Sequence, residues 1–297
     1  MILVGTDNGF VQVGADMAPQ PAGYRMDAIA VDAGDLWALS DGANLWHHPE
    51  GGDWEIVAGL DEGQANCLAV AGDLVLVGAA EARLFRLDGS ALKEVASFAT
   101  APGRDTWGTP WGGPPDVRSI GFDDDGTVYV NVHVGGVLRS TELESWEPTM
   151  DISADVHEVI AHSGSPGAAY AASAIGLGVT TDGAGSWEFQ ITGMHAVYCR
   201  AVAIGSDYAL VSASLGPSGG KAAVYRRPLD GSTPFRKCED GLPEWFAGNV
   251  NTFCLDAAGD RGVIAAPEGA VYESVNGGVT WSSVAEGLPG VHCVALA

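Results

Sequence analysis

Seven short apolar segments, each opened by a polar residue, recur along the chain, and this repeat limits the fold more than any other feature. They are Asp27-Ala-Ile-Ala-Val, Asn66-Cys-Leu-Ala-Val, Arg118-Ser-Ile-Gly-Phe, His157-Glu-Val-Ile-Ala, Arg200-Ala-Val-Ala-Ile, Asn251-Thr-Phe-Cys-Leu and His292-Cys-Val-Ala-Leu. Seven starts in 297 residues give a period of about 42, the length of one four-stranded blade. A second strand follows each turn, as in Thr127-Val-Tyr-Val-Asn or Tyr208-Ala-Leu-Val-Ser. Third strands such as Gly136-Val-Leu-Arg-Ser and Ala270-Val-Tyr-Glu-Ser come next, and fourth strands are opened by Trp146, Trp187 or Trp281.

The seventh start, at His292, has one strand before the chain ends. Met1-Ile-Leu-Val-Gly and Gly9-Phe-Val-Gln-Val are therefore expected to complete that blade, so that both termini share it and no open sheet edge remains. The expectation is all-β: a seven-bladed β-propeller of four-stranded antiparallel blades, one domain over residues 1–297. First strands alternate large and small side chains, Ile120 and Phe122 against Ser119 and Gly121, which lets neighbouring blades pack through both faces.

Composition agrees and narrows the function. Glycine contributes 42 residues, as many short strands joined by turns require. Net charge is −24, with 14 basic against 38 acidic residues, a surface that repels nucleic-acid backbones and anionic membranes. No apolar run of 18 residues marks a membrane span. The first residues lack the basic and apolar regions of a signal peptide. Five cysteines without a CxxC pair read as buried free thiols in a reducing compartment, so a cytoplasmic location is expected.

The segment Ser274-Val-Asn-Gly-Gly-Val-Thr-Trp281 is a tight Asn-Gly-Gly turn closed by Thr-Trp, with weaker copies at Thr180–Trp187 and Ser140–Trp146. The Asn or Asp is expected to bond its own turn's backbone, and the Trp to anchor the blade. These turns resemble the Asp-box, or BNR, repeat of sialidase-like β-propellers, whose relatives include sortilin-type receptors and a photosystem II assembly factor family. The resemblance implies a propeller with these turns on the face away from the active site. Sialidases combine an arginine triad with a Tyr/Glu pair and an Asp acid; Arg118, Arg200, Arg25 and Arg104, Tyr24 and Tyr198, and Glu244 or Glu158 are the matching residue types here. No Arg-Ile-Pro segment is present, which argues against a classical sialidase.

A site is expected where the first strands begin. Asp27, Asn66, Arg118, His157, Arg200, Asn251 and His292 occupy one equivalent position. This mix of guanidinium, imidazole, carboxylate and amide groups suits a small polar, anionic or polyhydroxylated ligand. Arg118 and Arg200 would hold the anion, with His157 and His292 as acid and base, in a hydrolase or lyase. Asp27, Asn66 and Asn251 would add ligand contacts. Long loops add Trp107 and Trp111, Tyr198, and Glu244 with Trp245. His133, His157 and His195 come from consecutive blades, and together would ligate a divalent metal such as zinc, copper or iron. The alternative is a non-catalytic propeller that binds a protein or ligand through Trp107, Trp111 and Trp245. Gly216-Pro-Ser-Gly-Gly220 lacks the helix of a nucleophile elbow, and Gly219-Gly-Lys221-Ala222 is not a phosphate loop.

Overall fold

The computed structural model covers all 297 residues and describes every one except Asp16, Met17, Pro19 and Trp111. Trp111, assigned above to a ligand loop, thus lies outside the described residues. The described residues form strands and turns, with 3-10 turns at Phe98–Thr100, Arg104–Thr106 and Ile152–Ala154.

Seven antiparallel sheets make a seven-bladed β-propeller, as the repeat predicts. Strands β1 (Ile2–Thr6) and β2 (Gly9–Gln12) pair in the order β2-β1-β27 with the last strand, β27 (Cys293–Leu296). Val4 faces Val294 across that pairing, so both termini share one blade. The other six sheets are meanders of four consecutive strands. They run β3 (Met26–Asp32) to β6 (Glu55–Gly59), β7 (Ala65–Ala71) to β10 (Ala91–Glu94), and β11 (Asp116–Phe122) through β12 (Val128–His133) and β13 (Gly136–Ser140) to β14 (Glu147–Pro148). Then come β15 (Val156–Ala161) to β18 (Glu188–Gln190), β19 (Tyr198–Ile204) to β22 (Arg236–Lys237), and β23 (Leu255–Ala258) to β26 (Ser282–Ala285).

One start is displaced. The sixth first strand begins at Leu255, not Asn251, because Asn251–Cys254 closes a turn through Cys254 N–H to Asn251 C=O at 2.9 Å. Phe253 sits there at φ 65°, a left-handed conformation that interrupts a strand.

The chain packs as two compact units. One comprises Met1–Ile29, Ala174–Leu177 and Gln190–Ala297; the other comprises Ala30–Ser173 and Gly178–Phe189. In the first, Tyr208, Leu210, Val224, Val263, Ile264 and Trp281 belong to one buried apolar cluster. In the second, Tyr129, Val137, Val156 and Val159 form another, with Trp187 packed against it. The small positions of the alternating strands permit this packing. A Cβ on Gly121 would stand 2.8 Å from the Ala161 amide nitrogen, and one on Gly78 would stand 2.3 Å from Val117 Cγ1.

Two of the Trp-closed turns share one hydrogen-bond plan. Ser274 Oγ donates to Asn276 Oδ1 at 3.0 Å and accepts from Gly278 N–H at 2.9 Å, and Thr280 N–H donates back to Asn276 Oδ1 at 2.9 Å. Thr180 Oγ1 donates to Asp182 Oδ1 at 2.8 Å and accepts from Ala184 N–H at 3.0 Å, and Ser186 N–H donates to Asp182 Oδ1 at 3.0 Å. The side chain replaces a backbone acceptor and fixes the turn. Ser186 bonds hold the Asp182 carboxyl down at about 2. A carboxyl depressed on folding stabilises above its ordinary value of 3.8, and that support is lost as pH falls through about 2. Urea midpoints should therefore drop more steeply between pH 4 and pH 2 for wild type than for Asp182→Asn. Parallel curves for the two proteins would remove Asp182 from the acid transition.

Candidate functional site

Four of the polar residues that open the first strands share a backbone device. In β7 the pairing jumps from Ala65 to Cys67, leaving Asn66 unpaired; in β11 it jumps from Val117 to Ser119 past Arg118. In β15 it passes over His157, and in β19 it passes over Arg200 and Ala201. Each is a β-bulge, which bends the strand and re-aims the extra residue's side chain. The β19 bulge is stitched by Ser212, whose Oγ accepts Ala201 N–H at 2.9 Å and donates to Val250 C=O at 2.9 Å.

In the second unit these bulges gather a titratable cluster. His133 ends β12, and His157 follows Asp155 by two residues at the start of β15. Asp155 Oδ1 lies 3.1 Å from His133 Nε2, and Asp155 Oδ2 lies 3.8 Å from His157 Nε2. The two imidazoles are almost fully buried and their ring centres stand 6.3 Å apart. Asp155 takes a left-handed conformation, φ 47°, after the turn Ile152–Ala154, which Asp151 caps through Ser153 N–H. That backbone turns the carboxylate toward the Nε2 atoms of both imidazoles. The His133 imidazole holds the Asp155 carboxyl below the usual range; burial opposes it, and His157, His133 and Arg118 charge adds to the lowering. Oδ1 stands 3.1 Å from His133 Nε2 without an aligned N–H donor. Asn66 is spent on structure, its amide donating to Val117 C=O at 3.3 Å.

In the first unit, Arg200 donates to Asn251 Oδ1 at 3.1 Å and to the Tyr198 hydroxyl at 3.3 Å, so three of the expected ligand residues form one group. Arg200 Nε is buried and has no hydrogen-bond partner. His292 Nε2 lies 2.7 Å from Asp7 Oδ1, and Asp27 pairs with Arg25 at 2.9 Å. Glu244 is exposed. His195 Nδ1 lies 2.6 Å from the Tyr225 hydroxyl, and its ring packs on Trp245 at 4.9 Å. Burial lowers the proton affinity of His195. The three-histidine set therefore divides: His133 and His157 meet over Asp155, while His195 is engaged by Tyr225.

The aromatic loops are used internally. Lys237 Nζ stands 4.0 Å over the Trp245 ring and Lys221 Nζ stands 5.7 Å over it, which engages two of the chain's three lysines. Trp107 packs against Gly135, where an added Cβ would meet its ring at 3.1 Å, and Arg104 pins the same loop by donating to Ala82 C=O at 2.7 Å. A cleft of about 580 Å³ opens instead beside the Trp-closed turns, lined by Asp123, Arg139, Trp146, Glu147 and Asp182 among others. Arg139 there is tied to Glu147 at 2.8 Å and to Gly183 C=O, an arrangement that holds turns together.

Asp155 is the residue that sequence reasoning missed. No strand periodicity marks it, because its backbone is left-handed, φ 47°, and lies just before β15.

No protein-family model matches the chain, and no curated protein matches it. Among solved structures it is similar to YCF48 from Cyanidioschyzon merolae, with TM-score 0.63 and 15% identity over 91% of this chain and 89% of that one. An ancestral GH74 enzyme gives TM-score 0.62 and 15% identity over 92% of this chain, and the GH74 xyloglucanase from Xanthomonas campestris gives 0.61 and 16% over 94%. The chain spans only 37% and 46% of those two enzymes. At these identities the likeness is one of fold.

Proposed function

We propose that this propeller binds a small anionic or polyhydroxylated molecule through its bulged first strands, with Arg118 as the anion-holding group and His157 as proton carrier in a hydrolase or lyase reaction. The observation that carries the reading is the bulge. Arg118 and His157 each fall at the register shift of their strand, where a bulge re-aims a side chain. Arg118 lies close enough to act on the Asp155 charge, so a cation and a proton-transfer group share one locality. The protein-docking alternative has less support, because Trp107 and Trp245 already pack on the chain's own loops. The Trp-closed turns are read as Asp boxes with a structural role, and the five buried thiols fit a cytoplasmic setting.

Calorimetric titration with uronic acids, small carboxylic acids and inorganic phosphate tests this. Arg118→Ala should weaken the bound anion about 10-fold or more, since a charge-assisted hydrogen bond contributes about 1.5–3 kcal/mol, with thermal midpoint unchanged. Equal affinity in the variant, or no binding of any of these anions by wild type, would refute the assignment.

A further inference from the structure

We infer that His133, Asp155 and His157 form a binding site for one divalent first-row metal ion, zinc or a chemically similar cation. The inference rests on the same locality as the anion reading and names its cofactor.

The donor geometry carries it. His133 Nε2 and His157 Nε2 lie 3.1 Å and 3.8 Å from the two oxygens of one carboxylate. One ligand atom from each residue falls within 4.8 Å of the others. A cation with bonds of about 2.0–2.2 Å spaces its ligands roughly 3.0–3.6 Å apart, so it fits after small side-chain adjustments. Among the described residues this is the one such group of histidine, cysteine and acidic side chains.

The surroundings fit the same reading. Two imidazoles, 5% and 1% exposed at the side chain, are placed against an ionised carboxylate whose Oδ1 is buried without an aligned donor. An oxygen in that state carries a desolvation cost that a cation would remove. The left-handed backbone at Asp155 is an uncommon conformation for a residue other than glycine, and here it delivers the carboxylate to the rings. Two neutral imidazoles and one carboxylate give a singly negative ligand set suited to zinc, iron, cobalt or nickel rather than calcium or magnesium. Three protein ligands also leave a coordination position open, as catalytic rather than structural sites do. An anionic ligand could then bridge the metal and Arg118. The net charge of −24 favours cation accumulation at the surface.

The test uses the whole chain purified without a histidine tag. Wild type, His157→Gln and Asp155→Asn are dialysed against Zn(II), and separately Co(II), then freed of excess ion. Elemental mass spectrometry should find about one equivalent in wild type. Visible absorption should report Co(II) in a site of four or five ligands. Each variant should bind at least about 100-fold more weakly, beyond the loss typical of removing an outer-shell partner. Asp155 is about one-third exposed, so its variant keeps the test open if His157→Gln fails to fold by circular dichroism. No stoichiometric ion in wild type, or equal retention by a folded variant, would overturn the inference. Loss of the metal claim with Arg118→Ala still weakening anion binding would leave the proposed function standing.

Discussion

Trp281→Ala should destabilise the protein by about 3–5 kcal/mol, the loss typical of deleting a large aromatic from a packed interior. Trp281 is 4% exposed within the cluster that includes Tyr208, Leu210 and Val263. Its indole N–H donates to Gly278 C=O at 3.1 Å, which closes the turn on itself. Its ring edge fills the space above Gly262, where an added Cβ would stand 3.2 Å from it. Alanine would therefore leave a cavity, an unsatisfied carbonyl and an unanchored turn at once. Trp187 is only partly buried, and its indole N–H reaches Thr149 Oγ1 at 3.3 Å, so Trp187→Ala should cost less. Urea denaturation checks the order: the Trp281→Ala midpoint should fall furthest, with an unchanged slope. A loss below about 1 kcal/mol, the median effect of an arbitrary substitution, would show that the turn does not depend on its Trp.

The elements that the sequence made legible depend on local pattern. Alternating apolar runs, glycine turns and a Trp at the entries to β14, β18 and β26 are properties of neighbouring residues, so β12, β13 and β19 fall where the pattern puts them. Pairing of β27 with β1 followed from counting strands, because an incomplete last blade needs partners from the other end. What failed was geometry set by nonlocal register or by one dihedral angle. The bulges at Asn66, Arg118, His157 and Arg200 exist only relative to a partner strand, so the polar positions were readable but their exclusion from pairing was not. Phe253 and Asp155 adopt left-handed conformations that their residue types do not announce. The first delayed the start of a strand, and the second hid the carboxylate that meets the two imidazoles. His195 was grouped with His133 and His157 by blade order alone, whereas Tyr225, thirty residues on, engages it.

Gly241→Ala should be as damaging as the loss of Trp281, although it removes nothing. Its Cβ would stand 1.8 Å from the Trp281 carbonyl oxygen and 2.7 Å from the carbonyl carbon, at a residue whose φ is +84°. Neither obstacle can move cheaply. The carbonyl belongs to the residue whose own N–H donates to Asp240 C=O at 2.9 Å, so the connector and the entry to β26 are latched face to face. The same latch occurs one junction earlier, where Phe235 N–H donates to Thr192 C=O at 2.9 Å and a Cβ on Gly193 would meet Phe235 O at 2.2 Å. Glycine is thus required because one blade's exit strand runs against the backbone of the next blade's fourth-strand entry. Gly89→Ala separates the two causes: it has φ +62° but nothing within 4 Å of its Cβ position. That control should lose about 1–2 kcal/mol, the cost of left-handed backbone in a residue with a Cβ. Gly241→Ala adds overpacking at the upper end of about 1–3 kcal/mol against a carbonyl that cannot rotate away. Equal urea midpoints for the two variants would assign the whole effect to the dihedral angle and leave the latch without energetic weight. A Gly241→Ala midpoint well below that of Gly89→Ala would establish that contact between successive blades holds this part of the propeller together.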